Sequence, residues 1–143
     1  MDARLTAYGQ ANPKMAYVSG PRSSWTRAAL RWIPAIVWMG VIFRLSAIPG
    51  SDLPSRFGSL GHFVVYAIFG ALLVIALARG RDSAQAITLA VFIAALYAVS
   101  DEYHQSFVPM RTPDVADWGV DTVGAFVGAA LALWAIRRVS QKR

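Results

Sequence analysis

A bundle of four membrane-spanning helices, all-α and with both termini cytoplasmic, is the fold this sequence predicts. Three observations carry that expectation: four apolar segments near span length, too little charge to coat a soluble domain, and cations gathered at one end of those segments. Of the 143 residues, 56% are hydrophobic and only 15% charged, with a mean hydropathy of +0.44. A soluble domain typically carries about a quarter of its residues as charges.

The apolar segments cover roughly 32–47, 60–78, 84–100 and 114–136. Each approaches the ~20 residues that a helix needs to cross ~30 Å of hydrocarbon. Pro34 falls near the start of the first, where a helix tolerates it. A soluble four-helix bundle would show polar stripes every three to four residues, and 60–78 and 84–100 show none through their centres. Residues 1–24, punctuated by Gly9, Pro13, Gly20 and Pro21, read as a mobile cytoplasmic tail. Residues 25–138 read as the membrane domain and 139–143 as a basic cytoplasmic end. The long basic leader and the poor cleavage site at Leu45-Ser46-Ala47 predict that the first helix is retained.

Charge sets the expected orientation. Eleven of the fourteen cations, among them Arg4, Lys14, Arg22, Arg27, Arg31, Arg79, Arg81, Arg137 and Arg143, fall on the side of the termini. The opposite side holds Arg44, Arg56 and Arg111 with six of the eight acids. Lys and Arg bias cytoplasmic loops, so the acid-rich side is expected to face outward. This asymmetry also accounts for the net charge of +6 without nucleic acid as a partner. The absence of cysteine excludes disulfides, thiolate zinc sites and cysteine nucleophiles.

The polar residues concentrate between the third and fourth segments, where Asp101, Glu102, Asp114, Asp117 and Asp121 accompany His104 and Arg111. Unpaired charge at the centre of a bilayer costs about 3 kcal/mol. This stretch therefore reads as an outward rim whose inner part enters the bundle and pairs there. At helical spacing Glu102 shares a face with Gln105, and Asp101 with His104 and Gln105. Thr112 and Pro113 read as N-cap and first helical residue. Asp114 and Asp117 then fall in the first turns, where carboxylates suit the helix dipole. Asp117, Asp121, Gly124 and Gly128 form one stripe, and the glycine spacing predicts close packing of that face on another helix. Asp121 sits roughly 10 Å along the axis at 1.5 Å per residue, as interhelical glue or as a functional acid.

His62 opens the second helix on the same outward side, with Tyr66 and Gly70 along its face. It reads either as an interfacial residue or as a partner of Asp101, Glu102, Asp117 or Asp121. Arg44 is expected to snorkel to the interface. Arg111 either neutralises Asp114 or Glu102, or receives an anionic head group through bidentate hydrogen bonds. Carboxylates are ligands for hard divalent cations, but no established ligand spacing is present, so neither a metal nor a cofactor is expected. Ser46-Ala47-Ile48-Pro49 and Ser106-Phe107-Val108-Pro109 echo each other sixty residues apart. A parallel two-helix repeat would leave that mark, and four residues of similarity are also what chance gives.

At these residues the chain resembles the VanZ-like family of bacterial membrane proteins. The family's acidic pair, following glutamine, Pro-x-Arg loop and last-helix aspartate with small residues are matched by Asp101-Glu102, Gln105, Pro109-x-Arg111, Asp117, Gly124 and Gly128. Its serine and proline after the first helix are matched by Ser46 and Pro49, and its second-helix histidine and aromatic by His62 and Tyr66. The resemblance covers roughly residues 32–136. Gly58-Ser59 stand where the family often has Asp-Lys, and Asp121 where it often has asparagine. Both departures weaken any anion-binding role carried over. The resemblance implies a multi-pass protein of the bacterial inner (cytoplasmic) membrane, in a family named for a protein associated with resistance to the glycopeptide teicoplanin. It implies no particular reaction.

The expected function is therefore to bind or modulate a lipid-linked or cell-wall-related molecule, contributing to glycopeptide tolerance. Asp101, Glu102, Gln105, Arg111, Asp117 and Asp121 are the expected binding residues. The alternative is a membrane enzyme acting on a lipid head group, with His62, Glu102 and Asp117 as acid–base candidates. A transporter is the third reading, four helices being few unless a homodimer through Gly124/Gly128 supplies the pathway. Expected partners are membrane lipids or a lipid-linked envelope precursor.

Overall fold

The computed structural model describes residues 24–52 and 58–142, with Ser24 as backbone only. Of the tail expected over 1–24, residues 1–23 lie outside the described residues, as do Pro54, Arg56 and Arg143, and Ser24 opens the first helix. Helices α1 (Ser24–Leu30), α2 (Ile33–Ser46), α3 (Ser59–Leu77), α4 (Ser83–Gln105) and α5 (Val115–Ser140) make up the chain, with one short 3-10 turn at Gly50–Asp52 and no strand among the described residues. Four helices are long and apolar enough to cross a membrane: Trp25–Ser46, which joins α1 to α2, then α3, α4 and α5.

The first span starts about two turns earlier than its apolar run. Arg31 and Trp32 keep backbone bonds to the carbonyls of Ala28 and Ala29, so α1 passes into α2 through a tight turn. Pro34, which has no N–H to donate, falls in the first turn of α2. α4 begins where the Asp82 carboxylate accepts from the Gln85 N–H at 2.8 Å. It runs on through Asp101–Gln105, so the acidic pair occupies its last turn. The start of α5 differs from the sequence expectation. Asp114, not Thr112, is the N-cap: its backbone is extended and its Oδ1 accepts from the Ala116 N–H at 2.8 Å. Pro113 stays outside the helix because a carboxylate one residue later makes the better cap.

On α4 and α5 the packing is inverted relative to a soluble bundle, whereas α3 turns Tyr66, Phe69, Leu73 and Val74 inward. α4 buries the four-residue stripe Ala86, Ala90, Ala94 and Ala98, while Phe92, Leu96 and Val99 are exposed. On α5, Gly124, Ala125, Gly128 and Ala129 are buried, while Val123, Phe126 and Leu131 are exposed. Lipid is as apolar as leucine, so on these two helices large side chains face it without loss, and small ones let backbones approach. The approach is closest between α3 and α5, which share the largest contact in the molecule. A Cβ on Gly128 would strike the carbonyl of Ala67, and one on Gly70 the carbonyl of Ala125. The Gly124/Gly128 face, named above as a homodimer seam, is thus filled by α3 of the same chain.

Phe63 meets Gly124 and Ala67 meets Gly128, so α3 and α5 run parallel. The same register recurs across the molecule. Tyr97 Oη donates to the Met39 carbonyl, Ser59 Oγ to Asp117, and Arg111 Nε to the Ile48 carbonyl, at chain separations of 58, 58 and 63 residues. Two hairpins, α2–α3 and α4–α5, therefore lie side by side in the same sense. The Ser46–Pro49 and Ser106–Pro109 echo falls at their two turns. Those turns are tied together: the Gly50 N–H donates to the Pro109 carbonyl at 3.1 Å, and a Cβ on Gly50 would collide with the carbonyl of Met110. Met110 itself takes a left-handed φ of 60°.

Candidate functional site

The polar residues of the sequence gather at one end of the bundle, where α3 and α5 begin and α4 ends. His62, one turn into α3, faces Asp121, two turns into α5, with Nδ1 and Oδ1 3.1 Å apart. Asp121 is fully buried. The pair exists because the glycine stripe below it draws α3 and α5 together. One turn nearer the helix starts, Ser59 Oγ donates to Asp117 Oδ1 at 3.2 Å. Asp117 therefore hydrogen-bonds Ser59 rather than His62.

Asp101 and Glu102, neighbours in sequence, point to different places. Asp101 is buried and accepts from Gln105 Nε2 at 3.1 Å, one turn along the same face. Glu102 turns toward α5, and its Oε2 accepts from the Asp114 N–H at 2.9 Å. That bond joins the end of α4 to the start of α5. His104 goes a third way and stacks on Phe43 of α2, ring centroids 4.3 Å apart. Arg111 forms an ion pair with neither Asp114 nor Glu102, the two partners considered for it from sequence; its Nε is spent on the Ile48 carbonyl.

Asp101, Gln105, Arg111, His62 and Tyr66 line a cavity of about 120 Å³ between α2, α3 and α4. Its apolar wall is made by Ile42, Leu45 and Val65. Of the sequence candidates, Asp101, Gln105, Arg111 and His62 thus share this cavity, while Glu102, Asp117 and Asp121 lie on the α5 side. His62 belongs to both groups. Arg44 is exposed near the C-terminal end of α2.

Several buried polar atoms at this end have no hydrogen-bond partner: Asp121 Oδ2, Glu102 Oε1, His104 Nε2 and the Tyr66 hydroxyl. Buried polar atoms are almost always paired, so unpartnered ones call for an explanation. His62, Glu102 and Asp121 also bring one ligand-capable atom each to within 4.8 Å of one another. Tyr66 is the residue that sequence reasoning undervalued. Its place one turn after His62 marked the face, but a tyrosine there reads equally as packing.

A family model described as VanZ/LLP1 matches residues 19–137. No curated protein matches the chain. No solved structure matches it either.

Proposed function

The chain belongs to the VanZ/LLP1 family, and on that premise we propose that it binds the head group of a membrane-borne amphiphile at the polar end of its bundle. The ligand class is a lipid or a lipid-linked envelope precursor, met in the bacterial cytoplasmic membrane with both termini cytoplasmic. The carrying observation is the cavity whose polar wall holds Arg111, His62, Asp101 and Gln105 and whose apolar wall holds Ile42, Leu45 and Val65. An engineered cavity of about 150 Å³ admits benzene. A volume of about 120 Å³ therefore admits one phosphate-sized or small-ring group, with the rest of an amphiphile outside it. Arg111 supports an anionic group there, since a guanidinium keeps further donors after Nε is used. Any contribution to teicoplanin tolerance follows from altered handling of that molecule.

A membrane enzyme acting on the head group is the second reading, and the His62–Asp121 pair favours it. A buried carboxylate that orients a cavity-lining imidazole is the arrangement general acid–base catalysis uses. Head-group and envelope-lipid profiles separate the two readings. Cells lacking the chain should shift in one lipid class, and Arg111→Ala should reproduce the shift. Under the enzyme reading, His62→Ala accumulates a species that differs from its product by one cleaved or added group. An unchanged profile in the deletion strain would overturn both readings.

A further inference from the structure

We propose that His62, Glu102 and Asp121 together bind one divalent transition-metal ion of the zinc or manganese type. The three residues come from α3, α4 and α5, and their ligand-capable atoms lie within 4.8 Å of one another. No pair of them is close in sequence, which is why no ligand spacing could be read there.

Each carboxylate is held by one oxygen and left open at the other. Asp121 Oδ1 is engaged by His62 and Glu102 Oε2 by the Asp114 N–H, while Asp121 Oδ2 and Glu102 Oε1 are buried without a partner. At Glu102 such anchoring resembles the outer hydrogen bonds that orient metal-ligating carboxylates, whereas at Asp121 the anchoring partner is itself a proposed ligand. Asp121 has no exposed surface at all, so water at the bundle surface does not satisfy it. Two carboxylates side by side repel, and the nearest cationic side chain in the loop, Arg111, is directed to the Ile48 carbonyl. A dication neutralises both acids and occupies both open oxygens.

The donor set selects the kind of ion. One imidazole nitrogen with two carboxylate oxygens suits zinc, manganese or ferrous iron, whereas calcium and magnesium prefer all-oxygen shells. Ligand atoms at ~2.1 Å from one tetrahedral ion lie roughly 3.4 Å from each other. One ligand-capable atom from each of His62, Glu102 and Asp121 lies within 4.8 Å of the others, so side-chain adjustment brings the three to that separation, the ion taking over the 3.1 Å contact between His62 and Asp121. Three protein ligands leave a coordination position open, as in catalytic rather than structural sites. His62 also lines the head-group cavity, which puts the ion at its edge.

The proposal shares its location with the head-group reading but is tested without a lipid. Tag-free protein in detergent is stripped with chelator, and Zn²⁺, Mn²⁺, Mg²⁺ or Ca²⁺ is added back. Metal content and thermal unfolding are then measured. About one equivalent of Zn²⁺ or Mn²⁺ should bind and raise the Tm by several degrees, with Mg²⁺ and Ca²⁺ at least tenfold weaker. Glu102→Gln and His62→Ala should each weaken binding at least tenfold while far-UV circular dichroism shows the helices intact, and His104→Ala should leave it unchanged. Substoichiometric binding by the wild type, or unchanged affinity in Glu102→Gln and His62→Ala, overturns the metal site. Head-group binding that survives the chelator would overturn a metal requirement and leave the head-group reading standing. Metal binding with no lipid phenotype would do the reverse.

Discussion

His62 Nδ1 and Asp121 Oδ1 lie 3.1 Å apart across the seam where α3 and α5 run parallel, and Asp121 is wholly buried. The pair sits in the first two turns of both helices, directly above the backbone contacts of Gly124 and Gly128. Its geometry is therefore a consequence of helix packing, and its chemistry depends on that packing holding.

Removing one partner should cost more than removing both. His62→Ala strands the Asp121 carboxylate, and an unpaired buried acceptor costs about 1–3 kcal/mol. His62→Ala with Asp121→Ala removes the orphan along with the bond. A double-mutant cycle by equilibrium unfolding in detergent should return a coupling between about 0.6 kcal/mol, the average between membrane helices, and about 1.7 kcal/mol, the largest seen there. Strictly additive losses would mean that the two side chains do not interact.

The seam itself should tolerate no side chain. Gly128→Leu drives its Cβ into the Ala67 carbonyl, an overpacking that backbone cannot yield to, with a loss of about 3 kcal/mol or of the folded state. Gly119 is the matched control, since a Cβ there meets nothing within 4 Å. Gly119→Ala should gain about 0.5–1 kcal/mol through the entropy of the unfolded chain. Thermal unfolding of the two variants side by side checks the contrast.

Much of this was legible from residues whose placement in lipid has one solution. Gly124 and Gly128 announce a close helix contact, and the run of carboxylates from Asp101 announces a turn outside the hydrocarbon. The rotation of α4 about its axis was also legible in principle. Ala86, Ala90, Ala94 and Ala98 mark its buried face, and the same four-residue spacing leads on to Asp101 or Glu102 and then Gln105. It leaves adjacent acids to be separated by 100° of helix turn. Which of them meets α5 depends on where the second hairpin docks. The partner of Arg111 was not legible because it is a backbone carbonyl, which every residue offers. The cap of α5 was misplaced for a similar reason, since Thr112 and Asp114 both satisfy the local rule and only the path of the loop chooses.

Asp114 should accordingly matter more to α5 than Thr112. Asp114→Ala removes the acceptor for the Ala116 N–H and should cost about 1 kcal/mol. Thr112→Ala should change stability by less than about 0.5 kcal/mol. Chemical unfolding midpoints for the two variants decide between the caps. A larger loss at Thr112 would move the start of α5 back to the position read from sequence.

The orientation of the bundle is open to a direct chemical test because the chain has no cysteine. Ser106 is exposed just past the end of α4, and Ser140 is exposed at the end of α5. If the cation bias sets topology, Arg137 and Arg138 stay with the cytoplasmic leaflet and the acid-rich turn is exported. Ser106→Cys should then react with a membrane-impermeant maleimide in intact cells, from which any outer membrane has been removed. Ser140→Cys should react only after lysis. The reverse pattern would turn the bundle over and place the His62–Asp121 pair at the cytoplasmic surface. The head-group site would then face molecules on the inner leaflet, before export, and not those already outside.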